Sequence, residues 1–316
     1  MSLRILVASL LLVTFSLPAV SRTMPVWENS ALVGAVNRIY ATYEDTLAGI
    51  GDRESLGYLE LVHANPGVDP WLPGEGTAII LPSRFILPSA PREGIVINLA
   101  EFRLYYYQGD TVSTYPVGVG TSTSPSPLTN TKVTMRLESP TWYPPDSVRA
   151  EHLADGDVLP RVIPPGPDNP LGPYALQLAE DGYLIHGSNK GFGIGMKVSH
   201  GCIRMYNQDI SELVWMADRG TPVRIIDQPV KFGVQDGVLW IEVHRSHEET
   251  RAGDQERLWK AAMEELKIVE NRHSLELNRA RLEQAIQKAD GIPQRVGEVI
   301  PTQVAQESQN PGPAGG

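Results

Sequence analysis

Apolar and polar positions alternate through the middle of the chain, which is the pattern of half-buried strands. Residues 94–99 and 101–107 each read as a strand, with Gln108-Gly109-Asp110 as the turn before the next run. Residues 115–120, 132–137, 171–179, 183–185 and 221–226 continue the series, and residues 230–243 form a hairpin turning at Gln235-Asp236-Gly237. Strand runs at this spacing predict a mainly β domain, a sandwich or barrel, over residues 92–228, flanked or completed by the hairpin at 229–245. Helical spacing interrupts it once, at residues 207–217, ending before Gly220.

The flanks read differently. Residues 46–50 and 56–62 have a helical look, with Asp45 as the expected cap of the first and Asn65-Pro66-Gly67 as the stop of the second. A short β-run at 77–81 follows, so residues 37–83 predict a strand-helix-helix-strand module. A Pro-rich linker at 82–91 separates it from the β domain. Beyond the hairpin, Leu258, Ala262, Leu266, Leu282 and Ile286 keep a helical period, predicting a helical extension over 246–290. Residues 291–316 lack periodicity and are expected to be a disordered tail. Within the β domain, 121–130 is a Ser/Thr/Pro loop and 146–168 a long surface excursion. Trp142 and Tyr143 stand between prolines just before it, either as a wall of a cleft or as a packed loop.

The N-terminus carries an address. Arg4, an apolar run at 5–17 and Pro18-Ala19-Val20-Ser21 form a signal peptide over 1–21, cleaved after Ser21. The run is too short to span a bilayer, so export without a stable membrane anchor is expected. A net charge of -10 argues against a nucleic-acid partner. Export makes the cysteine count informative: a disulfide framework needs an even number, and Cys202 is the chain's only cysteine. Such a thiol is either buried and inert or chemically employed.

Its surroundings favour chemistry. Cys202 follows Ser199-His200-Gly201 and precedes Arg204 by two residues, while His186-Gly187 lies upstream across a loop bearing Gly191, Gly193 and Gly195. A thiol nucleophile needs a base or positive charge nearby. His186, arriving from another strand, is the favoured base, with His200 as a positioning partner on the same face as Cys202. Gly201 suits a tight turn that points backbone N–H groups at an oxyanion, and Arg204 can fork a carboxylate. The glycine loop reads as a mobile flap. A zinc site from His186, His200 and Cys202 is conceivable but weak, because no His-x-x-x-His or Cys-x-x-Cys pair is present. No metal and no cofactor are expected. His244 and His247 read as surface residues.

The Ser199-His200-Gly201-Cys202-Ile203-Arg204-Met205 run, with His186-Gly187 before it, Asp209 and Leu213 after it, and Trp142-Tyr143-Pro144-Pro145 upstream, resembles the L,D-transpeptidase family with its YkuD-type catalytic domain. The leading module resembles LysM through Glu44-Asp45-Thr46-Leu47 and residues 65–69 and 76–82, which matches a periplasmic subgroup and implies contact with glycan; a packing unit that binds no glycan is the alternative. The family resemblance implies a β-sandwich, periplasmic location and peptidoglycan stem peptides as substrate. Cys202 would form a thioester with release of D-Ala, and His186 would be the base, oriented by a carbonyl near Gly187. Ser199 and His200 would support the site, Gly201 and Cys202 N–H groups would form the oxyanion hole, and Arg204 with Trp142 and Tyr143 would meet substrate. The acyl acceptor stays open between a second stem, an outer-membrane protein, a D-amino acid and water. Carbapenems would acylate Cys202. One departure is visible: the family's Thr-Pro-x-Gly element corresponds here to Ser124-Pro125-Ser126-Pro127, without the glycine.

Overall fold

The computed structural model describes residues 23–27, 29–245 and 252–301. The expected signal peptide, its cleavage point at Ser21, His247 and residues 302–316 of the expected tail lie outside the described residues.

The chain begins with β1 (Thr23–Pro25), β2 (Leu32–Gly34), β3 (Asn37–Tyr40), α1 (Leu47–Glu54), α2 (Tyr58–Ala64), β4 (Ala78–Leu81) and β5 (Arg84–Ile86). β3 and β4 pair antiparallel around the two helices, giving the strand-helix-helix-strand order the pattern predicts. The cap of α1 is Thr46, not Asp45: the Thr46 hydroxyl accepts from Gly49 N at 3.0 Å, whereas Asp45 accepts from Thr42 N at 2.7 Å. The expected linker at 82–91 contains β5, which pairs with β2.

The central unit comprises β6 (Gly94–Asn98), β7 (Arg103–Gln108), β8 (Thr111–Pro116), β9 (Val119–Gly120), β10 (Thr129–Glu138), α3 (Asp146–Ala154), β11 (Tyr174–Leu178), β12 (Leu184–His186), β13 (Lys197–Ser199), β14 (Ile203–Arg204), α4 (Asn207–Met216) and β15 (Pro222–Ile226). Nine strands form one sheet in the order β1-β8-β7-β6-β15-β10-β11-β12-β14. β10 is the corner. Its residues 129–132 pair with β15 and residues 133–138 with β11, the latter with an irregularity between Val133 and Met135. Alternation then sorts the side chains: Ile95, Ile97, Leu104 and Tyr106 enter the core that holds the site, while Val96, Tyr105 and Tyr107 pack under the N-terminal module. Arg103 fixes that module from below. Fully buried, it meets the Glu60 carboxylate of α2 at 2.5–2.7 Å and lies over the Phe85 ring.

The C-terminal part departs from the sequence-based expectation. β16 (Val230–Gln235), β17 (Val238–Val243), α5 (Asp254–Glu270), β18 (Leu275–Leu277), α6 (Arg279–Lys288) and β19 (Gln294–Val299) build a second sheet, ordered β16-β17-β19-β18. The hairpin at 229–245 is therefore half of this sheet, the extension at 246–290 is split by a strand, and the stretch expected to be a tail from 291 starts with one. Leu258, Ala262, Leu266, Leu282 and Ile286 bury their stripe against Val230, Ile241 and Val296 of that sheet. A three-residue strand, and a six-residue one with so few apolar positions, carry too little alternation to be seen in sequence.

Candidate active site

The site forms where β12 and β14 run parallel, with Ile185 opposite Ile203 and His186 opposite Arg204. Cys202 stands two residues before Arg204, so the thiol, the guanidinium and the imidazole share one face of this strand pair.

His186 is buried, and its Nδ1 donates to the Gly187 carbonyl at 2.7 Å. Burial, reinforced by the facing Arg204, lowers its pKa from 6.5 to about 4, against the opposing pull of the Gly187 and Pro170 carbonyls. The ring is thus neutral near pH 7, with Nε2 carrying the lone pair. Gly187 packs closely: a Cβ there would lie 2.4 Å from Asn207 Oδ1, so Asn207 would have to move. That same oxygen accepts from Ser188 N at 2.9 Å, so Asn207, at the start of α4, clips the loop behind the imidazole. Sequence reasoning missed Asn207, because its role exists only once α4 is folded back on β12.

The Cys202 thiol is partly exposed and donates to the Gly182 carbonyl at 3.7 Å. Burial raises its pKa, and the Leu184 N–H aimed at the sulfur, with Arg204, offsets that only in part. No hydrogen bond joins the sulfur to His186. The resting pair is thiol and imidazole, not thiolate and imidazolium. Arg204 is half-buried, and its Nε has no hydrogen-bond partner.

Ser199, Gly201 and His200 fall out unevenly. Ser199 is buried, and its hydroxyl donates to Cys202 O at 2.5 Å and accepts from Gly201 N at 3.1 Å. The Gly201 N–H, expected as an oxyanion donor, is therefore already engaged, which leaves the Cys202 N–H. Gly201 has φ +107°, and a Cβ there would sit 2.9 Å from the Tyr183 ring. This turn breaks the strand alternation, so His200 does not share a face with Cys202. It points away and pairs with Glu151 of α3 at 2.6 Å. Trp142 exchanges backbone hydrogen bonds of 2.9 Å with Ile163 and, with the buried Asn169 side chain on Pro140 O and Ile163 O, closes the base of the excursion. Tyr143 is exposed. The excursion reaches the loop that carries Cys202 through the Glu151–His200 pair.

The glycine loop is docked rather than free. Ile194 O accepts from Tyr58 N at 3.0 Å, and Phe192 meets both Tyr58 and Trp71 with ring centroids 5.4 Å apart. The N-terminal module thus braces the loop that borders the site.

Among the described residues, Glu101, Glu242 and His244 present ligand-type atoms within 4.8 Å of one another. His244 is buried there, not on the surface. Lys231 Nζ, at 2.5 Å from Glu101 and 2.9 Å from Glu242, occupies the position a cation would take. Cys202, His186 and His200 do not form a second such group among the described residues.

A thiol beside a neutral imidazole and an unpaired guanidinium, fed by a loop that leaves one N–H free, has the parts of a cysteine acyl-transfer site. The family model for the L,D-transpeptidase catalytic domain matches residues 92–225. Probable L,D-transpeptidase YcfS of Escherichia coli is 41% identical over 74% of this chain and 76% of its own length. Probable L,D-transpeptidase ErfK/SrfK is 43% identical in Salmonella typhimurium, over 77% and 80%, and 38% identical in Escherichia coli, over 90% and 91%. The chain belongs to the L,D-transpeptidase family. A solved L,D-transpeptidase from Mycobacterium smegmatis aligns at 17% identity over 42% of this chain and 58% of its own, with a TM-score of 0.35, a likeness too slight to add to that assignment.

Proposed function

We propose that this L,D-transpeptidase works in the periplasm on peptidoglycan tetrapeptide stems through a Cys202 thioester. His186 Nε2 takes the thiol proton as sulfur attacks the carbonyl of the third stem residue. The Cys202 N–H receives the developing oxyanion. The tetrahedral adduct collapses, the proton returns to the departing amine, and D-Ala leaves. An incoming amine then attacks the thioester, gives up its proton to His186 and restores the thiol.

The observation that carries this reading is the shared face of Cys202, His186 and Arg204, with Arg204 Nε lacking a protein partner. A half-buried guanidinium with an unpaired Nε beside a nucleophile suits an anionic substrate, and the stem offers carboxylates. Trp142, Tyr143 and the excursion wall the cleft, and His200 with Glu151 holds that wall to the catalytic loop. The N-terminal module, with Trp71 exposed beside Phe192, contacts the glycan strand. Carbapenems acylate the same sulfur.

The acceptor is a second stem, which yields a 3-3 cross-link, or the lysine of an outer-membrane protein. Water in that role would make the chain a hydrolase. Mass spectrometry of digested sacculi, from cells with wild-type protein, with Cys202→Ala and with none, tests the proposal. New stem-to-stem dimers or protein-linked stems that need Cys202 support it and identify the acceptor. Identical profiles in all three would contradict it.

A further inference from the structure

The loop at 121–130, where the sequence departs from the Thr-Pro-x-Gly element of the family, reaches the turn that carries Cys202. Ser126 is buried and its hydroxyl is committed twice: it accepts from Gly120 N at 2.9 Å and donates to the Gly201 carbonyl at 2.8 Å. Gly201 O belongs to the peptide that joins Gly201 to Cys202. In a trans peptide the carbonyl and the following N–H point in opposite directions, so whatever holds Gly201 O aims the Cys202 N–H.

The neighbouring groups leave no second device for that task. Ser199 takes Gly201 N–H and Cys202 O, the groups on either side of this peptide, but touches neither end of it. Gly201, at φ +107°, is the residue type with the widest freedom to let its following peptide plane swing. The anchor for that plane is the Ser126 hydroxyl. Its own position is stiff: Pro125 and Pro127 flank it, and Gly120 N ties it to β9, which pairs with β13 just ahead of the catalytic turn.

We infer that Ser126 is a positioning residue that aligns the Cys202 N–H as the oxyanion-hole donor, acting through the Gly201 carbonyl. This rests on the proposed role of Cys202 as nucleophile. A hydroxyl, not the serine itself, is what the geometry requires. Threonine supplies it, and Ser126 borders a cavity of about 410 Å³.

Thiol alkylation separates this role from general damage to the loop. Iodoacetamide reacts with the sulfur by direct displacement and forms no oxyanion, so its rate and pH profile report the thiol alone. Full-length Ser126→Ala and Ser126→Thr are compared with wild type for steady-state turnover of a disaccharide tetrapeptide and for the alkylation rate of Cys202 across pH. Ser126→Ala is expected to lose roughly 10- to 100-fold in kcat, below the full cost of deleting a donor, with KM within about twofold. Its alkylation profile stays that of wild type, and Ser126→Thr recovers kcat to within about fivefold of wild type. Wild-type kcat in Ser126→Ala would overturn the inference, as would a parallel loss of alkylation, an unfolded Ser126→Ala together with an inactive Ser126→Thr, or a failure of Thr to rescue. Failure of the underlying reading is seen elsewhere, as full turnover by Cys202→Ala.

Discussion

Arg204 faces His186 directly across the parallel β12–β14 pair and depresses its basicity, while its own Nε remains without a hydrogen-bond partner. Burial does most to keep the imidazole neutral, Arg204 adds to it, and the same guanidinium keeps an unpaired donor on that face. Arg204→Met should raise KM by about tenfold or more, since a charge-assisted contact contributes roughly 1.5–3 kcal/mol. It should also raise the His186 pKa, shifting the acid limb of the rate profile upward. Substrate titrations at several pH values measure both.

Burial of neutral His186 has a consequence for stability. Its pKa is about 4 folded against 6.5 for an ordinary histidine, so the unfolded chain binds the extra proton between those values. Stability contributed by this group is therefore present above pH 6.5 and falls as pH drops toward 4. The whole effect is about 3 kcal/mol, as a shift of about 2.5 units at 1.36 kcal/mol each. Urea titrations at pH 4.5 and pH 7 should show the slope in wild type and a flatter one in His186→Gln.

His200 and Glu151 are both exposed, so their pairing should add under about 1 kcal/mol to folding. Its expected role is to hold α3 against the catalytic turn. Glu151→Ala should leave the urea midpoint nearly unchanged and raise KM a few-fold for stem substrates. Rescue by Glu151→Asp would be weak, because the shorter side chain does not span the gap. Parallel unfolding and kinetic measurements check this.

Lys231 joins three parts of the chain. It bridges Glu101 of the catalytic unit and Glu242 of the C-terminal sheet, and Glu242 in turn accepts from Ile86 N of β5. Burial pushes the Glu242 carboxyl up, but Lys231 and His244 more than offset this and hold it below the ordinary range. Lys231→Met strands two buried carboxylates and should cost about 3–5 kcal/mol. Denaturant unfolding at pH 7 gives the value.

How far the sequence carried follows from the distance over which each signal acts. Alternation located β6 and β7, and the Ser-His-Gly-Cys-Ile-Arg order picked out the turn that carries Cys202, because both are local. The cap at Thr46 rather than Asp45 was a choice between adjacent hydroxyl and carboxylate, which propensity does not resolve. The side-by-side reading of His200 and Cys202 assumed extended backbone, and the left-handed φ of Gly201 invalidated it. Ser126, Asn207 and Glu151 were beyond reach, since each meets the site across at least 19 residues of chain and through a side chain common on any surface. The other half of the C-terminal sheet was hidden because β18 is three residues long between two helices and β19 has few apolar positions.

The proposed reaction passes the acyl group through Cys202. Intact-protein mass spectrometry after brief incubation with a disaccharide tetrapeptide, with released D-Ala measured in parallel, tests it most directly. Wild-type protein should carry one adduct, the stem shortened by D-Ala, mapped to Cys202, and Cys202→Ala should carry none and release no D-Ala. D-Ala release by Cys202→Ala at the wild-type rate, or an adduct on any other residue, would contradict the account.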